Sequence, residues 1–459
     1  MRVVFVLPPF DIASAYGSMR KMQRGNLPPL GVGYLAACLK MAGHTPRLVD
    51  AVALGTGLEE TVTKVLQENP EITREFKRQR PEIPVVLGGP HAASFAEEVL
   101  IDCDSIDVLV PGEGEIVLTQ LVDRLSRGAG YEDVPGLIFR DESGAVRAMP
   151  MAPLVEDLDT IPDPARDIYQ PELYLPLPNQ CRQTPATTVI TARGCPWGRC
   201  AFCYQGGRYS PPYRRRSPAH VVNEIARLAK DGGIREIIFW DDNFCVSPKW
   251  VHSFCDLLDR ERLGVTWSVQ GRVNTVTEAM LRRMAQSGCH NVYYEFESGN
   301  QEILDLVNKG ITLEQSRAAV KWAKKAGMEI RGSFILGMPT ETPEMAEKTI
   351  RFACELNVDW MIFYPYRVQK GTALEALALR EGALLGNVTS VHVPSYVPNT
   401  YAGPEQLAHS IRSAYRRYYL RPRYAARALR RSRSWTAVKN NARAFALWLN
   451  VQRAKKAKA

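Results

Sequence analysis

The fold of this chain is decided by one stretch near its middle, which reads Thr187-Thr188-Val189-Ile190-Thr191-Ala192-Arg193-Gly194-Cys195-Pro196-Trp197-Gly198-Arg199-Cys200-Ala201-Phe202-Cys203. The first six residues are β-branched or small, which predicts a buried strand. Three thiols then follow within nine residues, at Cys195, Cys200 and Cys203. Loops that follow strands in alternating α/β folds carry ligand sites and catalytic groups. The stretch therefore predicts a functional loop at the carboxyl end of a strand.

This strand is the first of six that alternate with helical patterns. The predicted strands are Thr187–Ala192, Glu236–Trp240, Val265–Gln270, Asn291–Glu297, Glu329–Leu336 and Trp360–Arg367. Helical periodicity fills the gaps between them, as in Val221–Ala229 and Arg317–Ala326. Because successive right-handed strand–helix units curl into a barrel, we expect residues 186–380 to form a partial (β/α)6 barrel of the TIM type.

The rest of the chain divides into three further regions. Residues 1–135 alternate strands and helices, which predicts an α/β domain with a Rossmann-like, doubly wound parallel sheet. Residues 136–185 are predicted to be a hairpin followed by a Pro-rich linker. Residues 381–459 are predicted to be a helical, basic C-terminal region.

Composition excludes several classes of protein. The 459 residues are 45% hydrophobic and 23% charged, which excludes a disordered chain, a collagen and a small disulfide scaffold. No apolar run approaches the roughly 18 residues of a membrane span. The N-terminus lacks the pattern of a signal peptide, so we expect a cytoplasmic protein. Its ten cysteines are then reduced thiols or metal ligands.

The positive charge is concentrated at the C-terminus. Residues 421–459 hold twelve Lys or Arg and no Asp or Glu, so the remaining residues contribute −3 to the net charge of +9. Apolar residues from Trp435 to Leu449 recur at helical spacing within this tail. We expect the tail to pack on the barrel or to lie in solvent. Peripheral contact with an anionic membrane surface is the alternative, and nucleic acid is the least favoured partner.

The three clustered thiols point to a soft metal. A structural zinc site needs a fourth ligand, and the nearest candidates, Cys181 and His220, are at least fourteen residues away. A four-iron cluster held by three thiolates leaves one iron free for an external ligand, which suits catalysis. Zinc, and three unrelated buried cysteines, remain as alternatives.

Together these features resemble the radical S-adenosylmethionine enzymes, in the class with an N-terminal cobalamin-binding domain. The usual family loop is Cys-x3-Cys-x2-Cys, whereas this chain has Cys-x4-Cys-x2-Cys, with one extra residue within Pro196–Arg199. The resemblance implies that Cys195, Cys200 and Cys203 hold a [4Fe-4S] cluster. S-adenosylmethionine would chelate the fourth iron and be cleaved reductively to a 5′-deoxyadenosyl radical. An external donor such as flavodoxin or ferredoxin would supply the electron.

The resemblance also implies which residues contact S-adenosylmethionine. They are Phe202, Arg272, Glu297, Ser298, Arg331 and Gly337. A carboxylate suits the ammonium group or the ribose hydroxyls, and an arginine suits the carboxylate of the cosubstrate. Ordinary salt bridges at the barrel mouth are the alternative for each charge. Lys309, in the string Asn308-Lys309-Gly310, is interpreted as structural.

Strand-end strings near the N-terminus resemble the cobalamin-binding domain of that class. The residues they offer are Gly31, Gly88, Gly89, His91, Gly112, Glu113 and Gly114. The Asp-x-His-x-x-Gly motif is absent, which implies that no protein imidazole ligates cobalt, and His91 is expected to cap a turn. The family normally has a further strand between Asp50 and Val85, and this span is short enough to omit it. We therefore expect weakened cobalamin binding, with a degenerate domain that no longer binds corrin as the alternative.

The expected function is that of a cobalamin-dependent radical methyltransferase. Its target would be an unactivated carbon, or phosphorus, of a small-molecule or natural-product substrate. A radical cyclase, oxidase or rearrangement enzyme without methyl transfer is the second hypothesis. A non-catalytic iron–sulfur or corrin-binding regulator is the third.

Overall fold

The computed structural model describes residues 1–7, 26–54, 77–177, 179–206, 211–386, 388, 391–424 and 426. These residues fall into two compact units that divide at Leu175 and Pro176. The basic tail beyond residue 426 and residues 55–76, where a strand was predicted to be missing, lie outside the described residues. In the described part of the chain, no helix is both long enough and apolar enough to cross a membrane.

The N-terminal unit contains six described strands and four helices. The strands are β1 (Arg2–Leu7), β2 (Thr45–Asp50), β3 (Val86–Gly88), β4 (Val108–Val110), β5 (Ile138–Arg140) and β6 (Val146–Ala148). The helices are α1 (Leu30–Met41), α2 (Ala51–Leu54), α3 (Pro90–Asp102) and α4 (Glu115–Ser126). Short 3-10 turns follow at Leu158–Thr160, Arg166–Ile168 and Pro171–Leu173.

The described strands of this unit form two sheets, where one doubly wound sheet was predicted. β1 pairs with β2 in parallel, and β3 pairs with β4 in parallel. The hairpin β5–β6 continues the second sheet in antiparallel fashion. The hairpin predicted at the start of residues 136–185 is therefore present, and it joins the sheet of this unit, where Phe139 pairs with Val108 and is buried in the core.

The C-terminal unit is built on a parallel sheet. Its strands are β7 (Ala186–Val189), β8 (Ala192–Arg193), β9 (Arg214–Arg215), β10 (Glu236–Phe239), β11 (Thr266–Gly271), β12 (Cys289–Glu297), β13 (Glu329–Leu336) and β14 (Trp360–Pro365), followed by β15 (Gly382–Leu384) and β16 (Tyr396–Pro398). The main sheet has the order β7-β10-β11-β12-β13-β14, and every pair in it is parallel. All six predicted barrel strands therefore pair in chain order, as consecutive strand–helix units require.

Helices cover one face of this sheet. They are α5 (Pro218–Lys230), α6 (Pro248–Glu261), α7 (Glu278–Gln286), α8 (Gln301–Leu306), α9 (Leu313–Lys325), α10 (Pro343–Leu356), α11 (Glu375–Glu381) and α12 (Pro404–Tyr419). Five of them begin at a Ser or Thr whose side chain accepts a backbone N–H of the first turn, namely Ser217, Ser247, Thr277, Thr312 and Thr342. These caps satisfy donors that a helix start leaves unpaired.

The two faces of the sheet differ in character. Strand residues that face the helices form the apolar core, among them Ile237, Phe239, Trp267, Val292, Phe296, Phe334 and Phe363. The alternate residues, which form the inner face, are mostly polar, among them Asn291, Tyr293, Glu295, Arg331 and Ser333. Strands that are buried on both faces are apolar at every position. Because the inner face of these strands is polar, it is not filled by an apolar core and can take part in binding.

The segment after residue 380 differs from the helical region predicted. It begins with the antiparallel pair β15–β16, and α12 then packs on β14, the edge strand of the main sheet. Tyr415 and Tyr419 of α12 each accept a backbone N–H of β14 and donate to a carbonyl oxygen of the same strand. These hydroxyls satisfy edge groups that would otherwise be free to pair with another strand.

Candidate functional site

The cysteine loop, Gly194–Cys203, follows β8 at the carboxyl-end side of the sheet. It begins with Gly194 at a φ of +77°, where an added Cβ would lie 2.7 Å from the carbonyl oxygen of Pro211. The backbone N–H of Cys195 donates to Oε1 of Gln205 at 2.9 Å, and that of Cys203 donates to the carbonyl oxygen of Cys200 at 3.0 Å. Side-chain and backbone hydrogen bonds thus hold both ends of the loop.

The three thiols of the loop lie in a partly desolvated environment. Cys200 is buried, and Cys195 and Cys203 are half-buried. Burial raises the pKa of the Cys203 thiol to about 11. Burial also raises the pKa of Cys200, while the charges of Lys309 and Arg272 oppose that shift.

Among the described residues, no three Cys, His, Asp or Glu side chains converge on a point suited to a single metal ion. A four-iron cluster does not require such a point, because each thiolate ligates a different iron. The chemistry of the donor set, three cysteines on one short loop, is that of an iron–sulfur site.

A second element, the lysine turn, is the segment Val307–Gly310 after α8. The backbone N–H of Ala201, inside the cysteine loop, donates to the carbonyl oxygen of Val307 at 2.9 Å. Trp197 donates from its indole Nε1 to the carbonyl oxygen of Asn308 at 2.8 Å. Trp197 lies within Pro196–Arg199, where the loop is one residue longer than in the family pattern. The longer loop is thus anchored on the lysine turn by one backbone bond and one side-chain bond.

A buried ion pair lies directly beside the two loops. Nζ of Lys309 is 2.5 Å from Oε1 of Glu297 and 3.1 Å from Oε2 of Glu295. Lys309 and Glu297 are each 3% exposed, so both charges are almost fully desolvated. Burial raises the pKa of Glu297, and the ammonium of Lys309 opposes the shift. Burial lowers the pKa of Lys309, but the two carboxylates raise it by more.

Local backbone geometry orients Glu297. It has a φ of +62°, and the pairing of β12 with β13 shifts register between Glu295 and Glu297. Such irregularities re-aim side chains at strand ends, and non-glycine residues tolerate positive φ where surrounding contacts hold them. The strand end therefore presents Glu297 to the lysine turn at the cost of local strain.

Arg272, which follows β11, connects these groups. Its Nη1 donates to Sγ of Cys200 at 3.9 Å, and its Nη2 donates to the carbonyl oxygen of Lys309. The guanidinium carbon also lies 5.3 Å from the centre of the Trp197 ring. Phe202 is close to the same cluster, with its ring 5.8 Å from Nζ of Lys309. The structure thus brings together Cys200, Phe202, Arg272 and Glu297.

Three other predicted residues lie elsewhere. Ser298 turns toward α10, where its hydroxyl is 3.3 Å from that of Thr349. Gly337 follows β13 with a φ of +79° and donates its N–H to Oε1 of Glu341 at 2.6 Å. Arg331 lies five residues before the end of β13, on the inner face of the sheet.

Two residues of the site were missed by the sequence analysis. Gln205 accepts the N–H of Cys195 and donates to Asp242 after β10, which ties the cysteine loop to a second strand end. Trp197 anchors the loop as described above. Trp197 carries a sequence signal, since a large aromatic residue in the lengthened part of a ligand loop needs a place to pack.

The predicted corrin-contacting residues lie at strand ends and helix starts of the N-terminal unit. Gly88 ends β3 and pairs with Val110 at the end of β4, so the turns that follow these strands are neighbours. Gly89 and Gly112 have φ values of +89° and +83°. The remaining predicted residues are Gly31 in the first turn of α1, His91 at the second position of α3, and Glu113 and Gly114 before α4.

Comparisons with known proteins agree on one family. The family model described as Radical SAM superfamily matches residues 189–353. An uncharacterised methyltransferase of Pyrococcus horikoshii is 32% identical over 441 residues, which cover 92% of this chain and 93% of that protein. The anaerobic magnesium-protoporphyrin IX monomethyl ester cyclase of Rubrivivax gelatinosus is 32% identical over 391 residues, which cover 80% of this chain and 68% of that protein.

A solved structure shares the fold over most of the chain. It is the radical S-adenosylmethionine methyltransferase TsrM from Kitasatospora setae, with cobalamin and a [4Fe-4S] cluster bound. The superposition has a TM-score of 0.64 and covers 89% of this chain and 81% of that one, at 17% identity. At that identity the likeness concerns the fold.

Proposed function

The chain belongs to the radical S-adenosylmethionine superfamily, in the class with a cobalamin-binding domain, and we propose that it methylates an unactivated carbon or phosphorus of a small-molecule substrate. The observation that carries the proposal is the convergence of Cys200, Arg272, Lys309 and Glu297 beside one strand end. A methyltransferase relative at 32% identity over nearly the full chain supports the same activity. A natural product is the substrate type we favour.

We assign the [4Fe-4S] cluster to Cys195, Cys200 and Cys203. The fit rests on the donor set and on the charges around it, since Arg272 and Lys309 place two cations beside Cys200. Cations near thiolates offset their negative charge in a site from which water is partly excluded. When bound, the cluster and S-adenosylmethionine would supply radical chemistry, and cobalamin would supply the methyl carrier.

The chain's own residues would bind and orient S-adenosylmethionine at this strand end. Glu297 presents a carboxylate suited to ribose hydroxyls or an ammonium group, and Arg272 presents a cation suited to a carboxylate. Lys309 holds Glu297 at 2.5 Å and so fixes its direction. Phe202 adds an apolar surface. Ser298 and Gly337 are proposed to shape the backbone around the cosubstrate.

Cobalamin is assigned to residues 1–135, which the sequence analysis predicts to be the cobalamin-binding domain. The open backbone at Gly31 and Gly89 supports the assignment, because no atom of the described residues lies within 4 Å of an added Cβ at either position. Gly88, Gly112, Glu113 and Gly114 would complete the strand-end contacts, with His91 nearby on α3. We expect no protein nitrogen on cobalt, so the electron paramagnetic resonance spectrum of bound cob(II)alamin should be the same in wild type and His91→Ala.

The remaining parts of the proposal concern architecture and partners. We propose that the six parallel strands form an open (β/α)6 barrel and that the N-terminal unit is a Rossmann-like domain. A reductant such as flavodoxin or ferredoxin would deliver electrons in the cytoplasm, where ten cysteines stay reduced. Contact of residues 427–459 with an anionic membrane surface is proposed from their charge alone.

The decisive experiment uses anaerobically reconstituted protein, dithionite and S-adenosylmethionine labelled on its methyl group. Wild type should bind about four irons per chain and form 5′-deoxyadenosine. Alanine at Cys195, Cys200 or Cys203 should abolish both, whereas Cys181→Ala, a matched control nearby in sequence, should retain both. A triple variant with a normal cluster would contradict the assignment.

A cyclase is the second candidate, because the Rubrivivax cyclase is as similar in identity as the methyltransferase relative. Transfer of the labelled methyl group to a product, with candidate substrates from neighbouring genes, separates the two activities. Label that remains entirely in methionine would favour the cyclase. A chain that holds the cluster but cleaves no S-adenosylmethionine would favour a regulator.

A further inference from the structure

We propose that the inner face of the C-terminal sheet carries a subsite for an oxyanion, centred on Arg331, Asn291 and Ser333, and that this subsite takes a carboxylate or phosphoryl group of the substrate. The inference rests on the proposed function, since it concerns the substrate of the same barrel. It names the chemical class of that substrate.

The three residues share one face of two neighbouring strands. Arg331 pairs with Tyr293 in the β12–β13 ladder, and its Nε donates to Oδ1 of Asn291 at 2.8 Å. The guanidinium lies 5.2 Å from the centre of the Tyr293 ring, which itself donates a hydrogen bond to Oγ of Ser333 at 2.8 Å. These contacts place Arg331 and Ser333 side by side, next to an aromatic wall.

The charge of Arg331 has no carboxylate within ion-pair distance among the described residues, and Glu329 acts on it only from farther away. None of the described carboxylates forms an ion pair with it, and Glu329, two residues away, pairs with Arg182 at 3.8 Å. The buried Arg216, by contrast, has a carboxylate of Glu224 at 2.6 Å. Burial lowers the pKa of Arg331 to about 10, so the side chain is still a cation at neutral pH. A desolvated cation without a counter-charge favours binding of an anion.

The neighbouring polar groups are donors as well. Nδ2 of Asn291 is buried and has no hydrogen-bond partner among the described residues. Oγ of Ser333 accepts from Tyr293, so its own hydrogen remains available for donation. A guanidinium fork with two further donors matches a group rich in acceptors, which is what a carboxylate or phosphoryl group offers.

The position of the subsite indicates the shape of the substrate. Arg331 lies five residues before Leu336, where β13 ends, which is roughly 16 Å along the strand. Arg272, beside Cys200 at the strand ends, is the cation placed to hold the carboxylate of S-adenosylmethionine. The substrate would therefore be elongated, with its anionic group at Arg331 and its reacting atom toward the cysteine loop.

The test measures binding of inorganic phosphate and of acetate to the full-length protein by calorimetry, because the natural substrate is unknown. Wild type should bind at least one of them saturably. Arg331→Gln should weaken that binding at least about tenfold, since a charge-assisted hydrogen bond is lost. Arg331→Lys should retain part of it, and Ser333→Ala should weaken it less than Arg331→Gln. Preference for phosphate or for acetate separates a phosphoryl from a carboxylate ligand.

The matched control is Arg317→Gln, because Arg317 is an exposed arginine of α9 that pairs with Glu355. It should bind both anions as wild type does. Equal binding by wild type and Arg331→Gln, or no saturable binding by wild type, would overturn the proposal. If Arg331→Gln misfolds by circular dichroism, Arg331→Lys and Ser333→Ala carry the test, and unchanged anion affinity in both would overturn it.

A second measurement separates the substrate from the cosubstrate. The affinity for S-adenosylmethionine should be the same in wild type and Arg331→Gln. A loss of that affinity in parallel with the loss of phosphate binding would assign the subsite to the cosubstrate carboxylate and overturn the substrate assignment. Failure of the proposed function is recognised by a separate measurement. If wild type cleaves no S-adenosylmethionine, the proposed function fails, whether or not the protein binds phosphate.

Discussion

The indole Nε1 of Trp197 donates a hydrogen bond to the carbonyl oxygen of Asn308 at 2.8 Å, across 111 positions of sequence. This bond joins the lengthened part of the cysteine loop to the lysine turn, where Lys309 pairs with Glu297. The part of the loop that holds the extra residue is therefore tethered to the lysine turn. The bond between Trp197 and Asn308 therefore couples the position of the cysteine thiols to that of the buried ion pair.

The packing of Trp197 leads to the first prediction, which concerns Gly310. An added Cβ at Gly310 would lie 2.2 Å from Cζ2 of Trp197, so Gly310→Ala must displace the indole. We expect a lower iron content after reconstitution and a loss of about 1–3 kcal/mol of unfolding free energy from overpacking. Iron analysis and urea unfolding measure the two effects.

The control is Gly327→Ala, which has a similar φ of +76° but no atom of the described part of the chain within 4 Å of the added Cβ. It imposes comparable backbone strain without moving Trp197. An equal loss of iron in both variants would mean that strain, and not the tether, is responsible.

The second prediction concerns the buried pair of Lys309 and Glu297. Lys309→Met should lower the free energy of unfolding by about 3–5 kcal/mol, because it leaves the carboxylate of Glu297 buried without its counter-charge. Adding Glu297→Gln in the same chain should restore much of that loss. Lys325→Met, which removes an exposed partner of Glu278, should change the free energy of unfolding far less than Lys309→Met does. Urea unfolding of the four proteins checks this, and no recovery in the double variant would contradict it.

Glu341 leads to a pH-dependent prediction. Its side chain is fully buried, and burial raises its pKa to about 7, while hydrogen bonds from Gly337 and Tyr401 oppose the shift. Oε2 has no hydrogen-bond partner among the described residues. A carboxyl group with a raised pKa stabilises the fold when protonated, and that contribution is lost as pH rises from the unfolded value of 4.5 through about 7.

Wild type should therefore lose up to about 3 kcal/mol of unfolding free energy from this group between pH 5 and pH 8. Glu341→Gln, which keeps an acceptor for Gly337, should remove that part of the pH dependence. Unfolding in urea across this pH range provides the measurement. Glu344→Gln serves as an exposed control in the first turn of α10, three residues away, and should follow the wild-type profile.

The fourth prediction concerns the edge strand β14. Tyr415→Phe and Tyr419→Phe each remove a hydroxyl that bonds both a backbone N–H and a carbonyl oxygen of β14. Each should cost about 1–3 kcal/mol of unfolding free energy, because the strand loses partners for partly buried backbone groups. Tyr131→Phe, where the ring packs on Phe139 in the other unit, is the control and should cost less. Equal losses in all three variants would argue against edge protection by α12.

Much of the C-terminal parallel sheet was predictable from local pattern. Strand and helix periodicity located all six parallel strands, because these signals depend on neighbours within a few residues. The thiol spacing from Cys195 to Cys203 located the functional loop for the same reason. The identity of the family followed from these local strings.

Pairing between distant segments was not predictable in the same way. The hairpin β5–β6 was predicted, but its pairing with β4 was not, because that pairing depends on the burial of residues such as Phe139 against segments distant in the sequence. The pair β15–β16 and the edge protection by α12 also depend on contacts across many residues. Local composition carries no information about such neighbours.

The sequence by itself determined the family, the three candidate cluster ligands and the order of the strands in the C-terminal parallel sheet. Only the tertiary structure decided that Arg272 and Lys309 converge on Cys200 while Arg331 lies apart on the inner face of the sheet. The physical reason is that residue type sets which chemistry a side chain can perform, whereas strand register and alternation set which side chains meet. A displacement of one residue along β13 would turn Arg331 toward the helices and remove it from the inner face.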